Sequence, residues 1–257
     1  IRSLRRWILI LKGLMGHSHR RQMLVLGIET STGIGSVALI NDKGLLAEYR
    51  INIGMVHSER LMIAIDRLLS DTGTGLENVN SIAVSIGPGS FAGLRIGLAT
   101  AKGVQAATGK PIAPVPTLDA MAQSLRFARR QICAMIDARK KEVYAAIYEN
   151  SKNSGIRRIT DYMTDKPEKV LAHISSETIF IGDGAELYRN IIIDSLGEQA
   201  LFAPKGFAPS AVTVAELGAD MIRNGVRNED ALIPLYLRKP EAEMKYGEGI
   251  GWVANRA

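Results

Sequence analysis

At 257 residues the chain can bury a core as one large domain or two small ones, and its 46% apolar content is ordinary for a globular protein. The net charge of +6 resides in residues 1–22, where Arg2, Arg5, Arg6, Lys12, Arg20 and Arg21 stand without an acid; the other 26 basic residues balance 26 acidic ones. Composition therefore gives the body no overall polyanion-binding excess, the lone Cys133 excludes an internal disulfide, and no run is apolar for long enough to span a bilayer.

Residues 1–22 read as an extra basic and apolar segment outside the fold, with Met23 as the natural start. The Trp7–Met15 run is too short to cross a membrane, and Lys12 interrupts it. From Met23 the pattern predicts three short strands, LVLGIE, SVALIND and LLAEYRIN, joined by tight glycine-containing turns into an antiparallel meander. Ser58 is placed to cap a helix over ERLMIAIDRLLSD, whose Leu61, Ile65, Leu68 and Leu69 recur at three- and four-residue spacing. VNSIAVSIG alternates as a strand. Gly87, Pro88, Gly89 and Ser90 then start a helix from about Phe91 to Ala107, which the Gly109-Lys110-Pro111 break ends.

Further on, Thr117 is placed to cap LDAMAQSLRFA, and QICAMIDAR and KEVYAAIYE form a hairpin around Arg139–Lys141. Residues 151–174 read as loop and short strand. TIFIGDGAELY runs from strand into helix. Ser210 caps a helix over VTVAELGADMIRNG, with Val212, Ala215, Leu217 and Ala219 inward, and ALIPLYLRKPE is extended. The layout is an α/β protein of two layered units, 23–116 and 117–240, followed by a flexible tail over 241–257.

Two constellations stand out. Glu29-Thr30-Ser31-Thr32-Gly33 sets a carboxylate at a strand end before hydroxyls and a glycine. That pattern suits a metal-bound phosphate, and equally a hairpin turn whose hydroxyls satisfy their own backbone; the residues alone leave both open. The second is GPGSFAG from Gly87, which lacks both the G-K-[ST] of a P-loop and the G-x-G-x-x-G order. Its helix start could offer N–H groups to an anion. Gly93, Gly97 and Ala101, however, fall four apart and strip one helix face of bulk, which suits the close approach of another helix, inside the domain or between subunits. Metal ligands are scarce. His57 and His173 lie far apart, and Leu61 occupies the position four beyond His57, so no metal site is expected. Asp119, Asp137 and Asp183 each border an element, where carboxylates also serve as caps, and Arg126, Arg129 and Arg130 read as a solvated face.

Taken in order, MLVLGIETSTGIGSVALI, HSERL, SIAVSIGPGSFAGLRIGLATAKGV, DARKKEVYA, IGDGA and PLYLR resemble the TsaB family, dimerisation subunits of the bacterial tRNA threonylcarbamoyladenosine machinery. The resemblance covers roughly Met23 to Arg238. It implies an actin-like, hexokinase-like (ASKHA) fold of two subdomains, each a mixed sheet with packed helices, in a cytoplasmic protein. It implies a non-catalytic subunit without a cofactor, paired with a TsaD-type catalytic subunit and served by a TsaE-type ATPase through the complex. It further implies that tRNA is reached only through the complex, with no membrane, for modification of adenosine 37 in tRNAs reading codons that begin with A. Thr117 and Met121 stand where the TsaD pattern has two metal-binding histidines, and neither a hydroxyl nor a thioether replaces an imidazole there. The implied docking surface is the helix pair, through Ser58, Leu61, Ile65, Ser90, Phe91, Gly93, Gly97 and Ala101; the same apolar surface could join two copies when the partner is absent. Glu29, Thr30, Ser31 and Gly33, with Gly182, Asp183 and Gly184, would be remnants of the fold's phosphate loops. The alternatives are a threonylcarbamoyltransferase or metallo-glycopeptidase-like enzyme of the same superfamily, or a small-molecule kinase.

Overall fold

The computed structural model describes residues 23–52, 57–151, 155–226 and 232–238; the expected extra segment 1–22 and the tail 241–257 lie outside the described residues. In the first sheet, β1 (Val25–Glu29), β2 (Gly35–Asn41) and β3 (Gly44–Ile51) form the expected antiparallel meander. β4 (Ser81–Gly87) joins β1 in parallel and β5 (Ile112–Pro116) joins β4, giving the order β3-β2-β1-β4-β5. In the second sheet, β6 (Gln131–Arg139) and β7 (Glu142–Ser151) form a hairpin, and β8 (Gly155–Arg158) and β9 (Met163–Asp165) pair with β7. β10 (Thr178–Ile181) runs parallel to β6, and β11 (Ala200–Phe202) parallel to β10. The wiring is used twice: an antiparallel meander, then two parallel strands added to its first member.

Helices α1 (His57–Asp71) and α2 (Phe91–Thr108) cover one face of the first sheet. Leu61, Ile65 and Leu68 of α1 and Leu98, Ala101 and Val104 of α2 pack there on Leu26, Ile28, Val37 and Ile82 of the strands. The shorter helices α3 (Thr117–Gln123), α4 (Pro167–Leu171), α5 (Asp183–Leu187) and α6 (Arg189–Leu196) belong to the second unit and its junction, and α7 (Ala211–Arg223) follows.

The position of α7 corrects the expected boundary at 117–240. It covers the opposite face of the first sheet, where Val214, Ala215 and Ala219 meet Val25, Ala83, Ala113 and Val115. The reason is shape: a Cβ on Gly218 would collide with Ala83, and one on Gly27 with the Ala211 carbonyl, so the helix and sheet backbones close together only because both are bare there. Its inward face is Ala211, Val214, Ala215, Gly218 and Ala219, whereas Val212 and Leu217 are half-buried. Ser210 caps it as expected, its Oγ accepting from Val212 N at 3.1 Å, and Ser36 Oγ accepts from Ala211 N at 2.9 Å. Three further expectations change. Thr117 is the first residue of α3 rather than its cap, α3 stops at Gln123, and residues 155–171 hold two strands and a helical turn.

The β6–β7 hairpin forms as expected, but its tip is unusual. Arg139, Lys140 and Lys141 have φ of 60°, 55° and 61°, a left-handed conformation that costs roughly 1–2 kcal/mol for each residue with a Cβ.

Candidate functional site

The candidate site is built on α2. Ser90 caps it, its Oγ accepting from Gly93 N at 3.3 Å, and Gly109 ends it in the left-handed region at φ 67°. Leu94, Leu98, Ala101 and Val104 recur at spacings of four, three and three, and all four are buried. They fix which side of the helix faces the sheet.

The glycines lie toward that same side. Thr30 Oγ1 donates to the Gly93 carbonyl at 2.8 Å, and Ser90 N donates to the Ser31 carbonyl at 2.6 Å. A Cβ on Gly93 would strike the Thr30 carbonyl, one on Gly97 the Thr30 hydroxyl, and one on Gly89 the Ser31 carbonyl. Gly93, Gly97 and Ala101 therefore do not admit a partner helix, contrary to expectation; the β1–β2 turn of the chain itself fills the groove they leave. Leu61 and Ile65 are likewise core residues of α1. Ser58 lies within α1, and its side chain falls outside the described residues. Among the expected docking residues whose side chains are described, only Ser90 and Phe91 are exposed.

The outward face has a different composition. On α1 it presents Met62 and Ile63, 50% and 64% exposed. On α2 it presents Phe91, 37% exposed, and then a small-residue stripe of Ala92, Ala99, Gly103 and Ala106, all exposed. A Cβ on Gly103 would meet nothing within 4 Å. At the head of α2, Phe91 stacks on Tyr236 with ring centroids 5.1 Å apart, and the Arg95 guanidinium lies 3.8 Å over the Phe91 ring while its Nε donates to Tyr236 Oη at 3.3 Å. This outward stripe was missed in the sequence, although Leu94, Leu98 and Val104 marked the opposite side as core.

The two glycine turns do meet. Thr32 and Gly33 face Gly182 and Asp183 across a cleft of about 340 Å³, floored by Met121, Ile136 and Phe180 and bordered by Ala203, Pro204 and 206–209. Gly182 and Gly184 are bare because a Cβ on either would run into the β6 backbone. Burial pushes the Asp183 carboxyl above its usual range, and its Oδ1 accepts from Asp137 N at 3.0 Å. Among the described residues the cleft lining includes Asp183 and Glu186 and no Lys or Arg, an arrangement that disfavours a polyphosphate.

Glu29, Thr30 and Ser31 lie behind this cleft, fully buried. Glu29 Oε1 accepts from Ser31 N and Ser31 Oγ, both at 2.5 Å. Burial pushes the Glu29 carboxyl up, opposed first by the hydrogen bonds from Ser31, then by the nearby Ser85 hydroxyl and the Arg50 charge. Ser85 Oγ is close enough to draw it down, yet neither that hydroxyl nor Glu29 Oε2 completes a hydrogen bond.

Of the remaining candidates, Asp119 is structural, accepting from Tyr148 OH at 2.7 Å and Tyr162 OH at 2.8 Å and so pinning α3 to the second sheet. Thr117 and Met121 are both buried. Arg126 pairs with Glu216 at 3.2 Å and Arg130 with Glu177. Cys133 is buried in β6, where burial pushes its thiol up. Among the described residues no three His, Cys, Asp or Glu side chains gather as a metal site, and no helix is long and apolar enough to cross a membrane.

Comparison with known proteins gives consistent findings. The TsaD family of tRNA N6-adenosine threonylcarbamoyltransferases matches residues 53–246. The Bacillus subtilis (strain 168) tRNA threonylcarbamoyladenosine biosynthesis protein TsaB is 30% identical over 88% of this chain and 99% of its own length. The Escherichia coli (strain K12) protein of the same name is 32% identical over 87% and 98%. The crystal structure of YeaZ from Pseudomonas aeruginosa superposes with a TM-score of 0.73 at 27% identity, covering 84% of this chain and 100% of that one. Component A of the (R)-2-hydroxyglutaryl-CoA dehydratase of Acidaminococcus fermentans, at 10% identity and a TM-score of 0.50, shares the fold alone.

Proposed function

The chain belongs to the TsaB family, and from that premise we propose that the outward face of α1 and α2 docks a TsaD-type threonylcarbamoyltransferase. The protein has the two-unit ASKHA fold and is a non-catalytic partner in tRNA threonylcarbamoyladenosine biosynthesis. In the proposed assembly it supports formation of N6-threonylcarbamoyladenosine at position 37 of tRNAs reading codons that begin with A. A TsaE-type ATPase acts through the complex, tRNA is reached through it, and the setting is the cytoplasm.

One observation carries the docking reading: α1 exposes Met62 and Ile63, and α2 exposes Phe91 followed by a bare stripe of Ala92, Ala99, Gly103 and Ala106. The large side chains supply apolar area, each giving about 1.5–3 kcal/mol when fully buried, and the small ones let a partner backbone come close. Without the partner, the same face pairs two copies of the chain, because exposed apolar surface favours cover.

The TsaD match raises catalysis by this chain as a second reading. Thr117 and Met121 oppose it, since by the resemblance to the TsaD pattern they take the positions of its two histidines, and a buried hydroxyl and a buried thioether do not replace two imidazoles. The test is co-purification with a TsaD-type subunit, then an assay for threonylcarbamoyladenosine with each component omitted. The expected result is a stable complex, with product formed only when both subunits are present. Product from this chain in the absence of the TsaD-type subunit would overturn the reading.

A further inference from the structure

The hairpin between β6 and β7 carries its charges against the preferences of its own backbone. Lys140 and Lys141 are the two central residues between paired Arg139 and Glu142, and both have positive φ. That is the type I′ pattern, which asparagine and glycine satisfy and which a long side chain on a full Cβ resists. The register shift between Asp137 and Arg139 adds a bulge at Arg139, a second kind of position where glycine is the relaxed choice at positive φ. Three like charges also stand side by side on an exposed tip. Turn formation selects against all three residues, and backbone strain of this kind concentrates at functional positions.

The surroundings point the tip outward. Asp137, at the base of the turn, pairs with Arg139 at 3.2 Å and accepts from its N at 2.8 Å. Arg238 braces the other side, donating to the Ala138 carbonyl at 2.9 Å and pairing with Glu142. Lys141 makes no ion pair among the described residues. Two residues before Arg238, Tyr236 stacks on Phe91, so the base of the hairpin is tied to the head of α2.

We infer that this tip contacts the phosphate backbone of tRNA where it crosses the seam between this chain and its docked partner, an inference that rests on the docking reading above. Exposed lysines act as point charges toward phosphate oxygens, and such contacts position an RNA without reading its sequence. A nucleotide in the adjoining cleft is a poorer occupant, because among the described residues that cleft is lined by Asp183 and Glu186 and by no Lys or Arg.

The test is Lys140→Asn/Lys141→Gly, which installs the favoured turn while removing two cations. The variant chain should melt higher than wild type and bind the TsaD-type subunit with unchanged affinity. In that complex it should bind tRNA roughly tenfold more weakly, with the slope of log K against log salt concentration reduced by about 1–2. Unchanged tRNA affinity and salt slope in the assembled complex overturns the inference. So does a loss confined to partner affinity, which would make the tip a protein contact, and so does a lower melting temperature, which would remove the conformational ground. If the wild-type chain forms no complex, or a wild-type complex holds no tRNA, the docking reading falls first and takes this inference with it.

Discussion

Gly97 and Gly103 sit six residues apart on α2 and face different surroundings. A Cβ at Gly97 would run into the Thr30 hydroxyl, whereas one at Gly103 would meet nothing within 4 Å. The first bare position lets the β1–β2 turn close onto the helix, and the second leaves a flat surface on the outside. Small residues in a helix thus report a close approach without naming what approaches. Their large neighbours Leu94, Leu98 and Val104 decide that, because all three are buried and only one side of the helix can be core.

The comparison breaks most visibly at Gly97. Gly97→Leu should destabilise the isolated chain by about 3 kcal/mol or more, since the obstacle lies in a hydrogen-bonded turn that has nowhere to go. With about 2–4 °C lost per kcal/mol for a protein of this size, thermal melting should fall by roughly 6–12 °C, or the chain should fail to fold. A melting temperature equal to wild type would put Gly97 on the outside after all.

On the outer face, Ile63→Asp should change melting little, because Ile63 is mostly exposed in the free chain. Docking would bury the new carboxylate without a partner, at a penalty of about 3 kcal/mol or more. Calorimetric titration with a TsaD-type subunit should then show the dissociation constant rising roughly a hundredfold or more. Equal affinities for wild type and variant would remove α1 from the interface.

The smallest effect concerns Glu29, buried beneath the same turn that Gly97 accommodates. Its carboxyl is raised by burial, so the folded chain holds a proton that the unfolded chain has released. That contribution is full below the ordinary carboxyl range and is lost as pH rises through the raised value, by at most about 1.4 kcal/mol per pH unit. Urea denaturation from pH 4 to 8 should therefore show a shallower decline for Glu29→Gln than for wild type. Parallel curves would mean that the carboxyl is not raised.

What the sequence made legible was local. Ser90, Gly109 and Ser210 announced the ends of α2 and α7 because a cap acts within one turn of its helix. The β1–β2–β3 meander and the β6–β7 hairpin followed from alternation and turn residues. What stayed hidden was nonlocal. β5 carries two prolines and is a strand only through its parallel pairing with β4, and β11 is three residues held by β10. The return of α7 to the first sheet depends on the fit of Gly218 against Ala83, far apart in sequence. Most of the docking residues expected on α1 and α2 fall on the buried side of those helices, since the groove at Gly93 and Gly97 is filled by Thr30, more than 60 residues earlier in the chain. The strained tip at Arg139–Lys141 was readable as a turn, but not its three positive φ angles, because lysine and arginine give no hint of them.

The most direct test of the central claim is titration of Gly103→Leu with a TsaD-type subunit, with thermal melting of the free variant alongside. Leucine there adds bulk to an open surface, so the free chain should melt within a degree or two of wild type. If a partner backbone packs on the stripe, the clash of about 1–3 kcal/mol should raise the dissociation constant about fivefold to more than a hundredfold. An unchanged dissociation constant, with melting unchanged, would contradict docking through the outward face of α2.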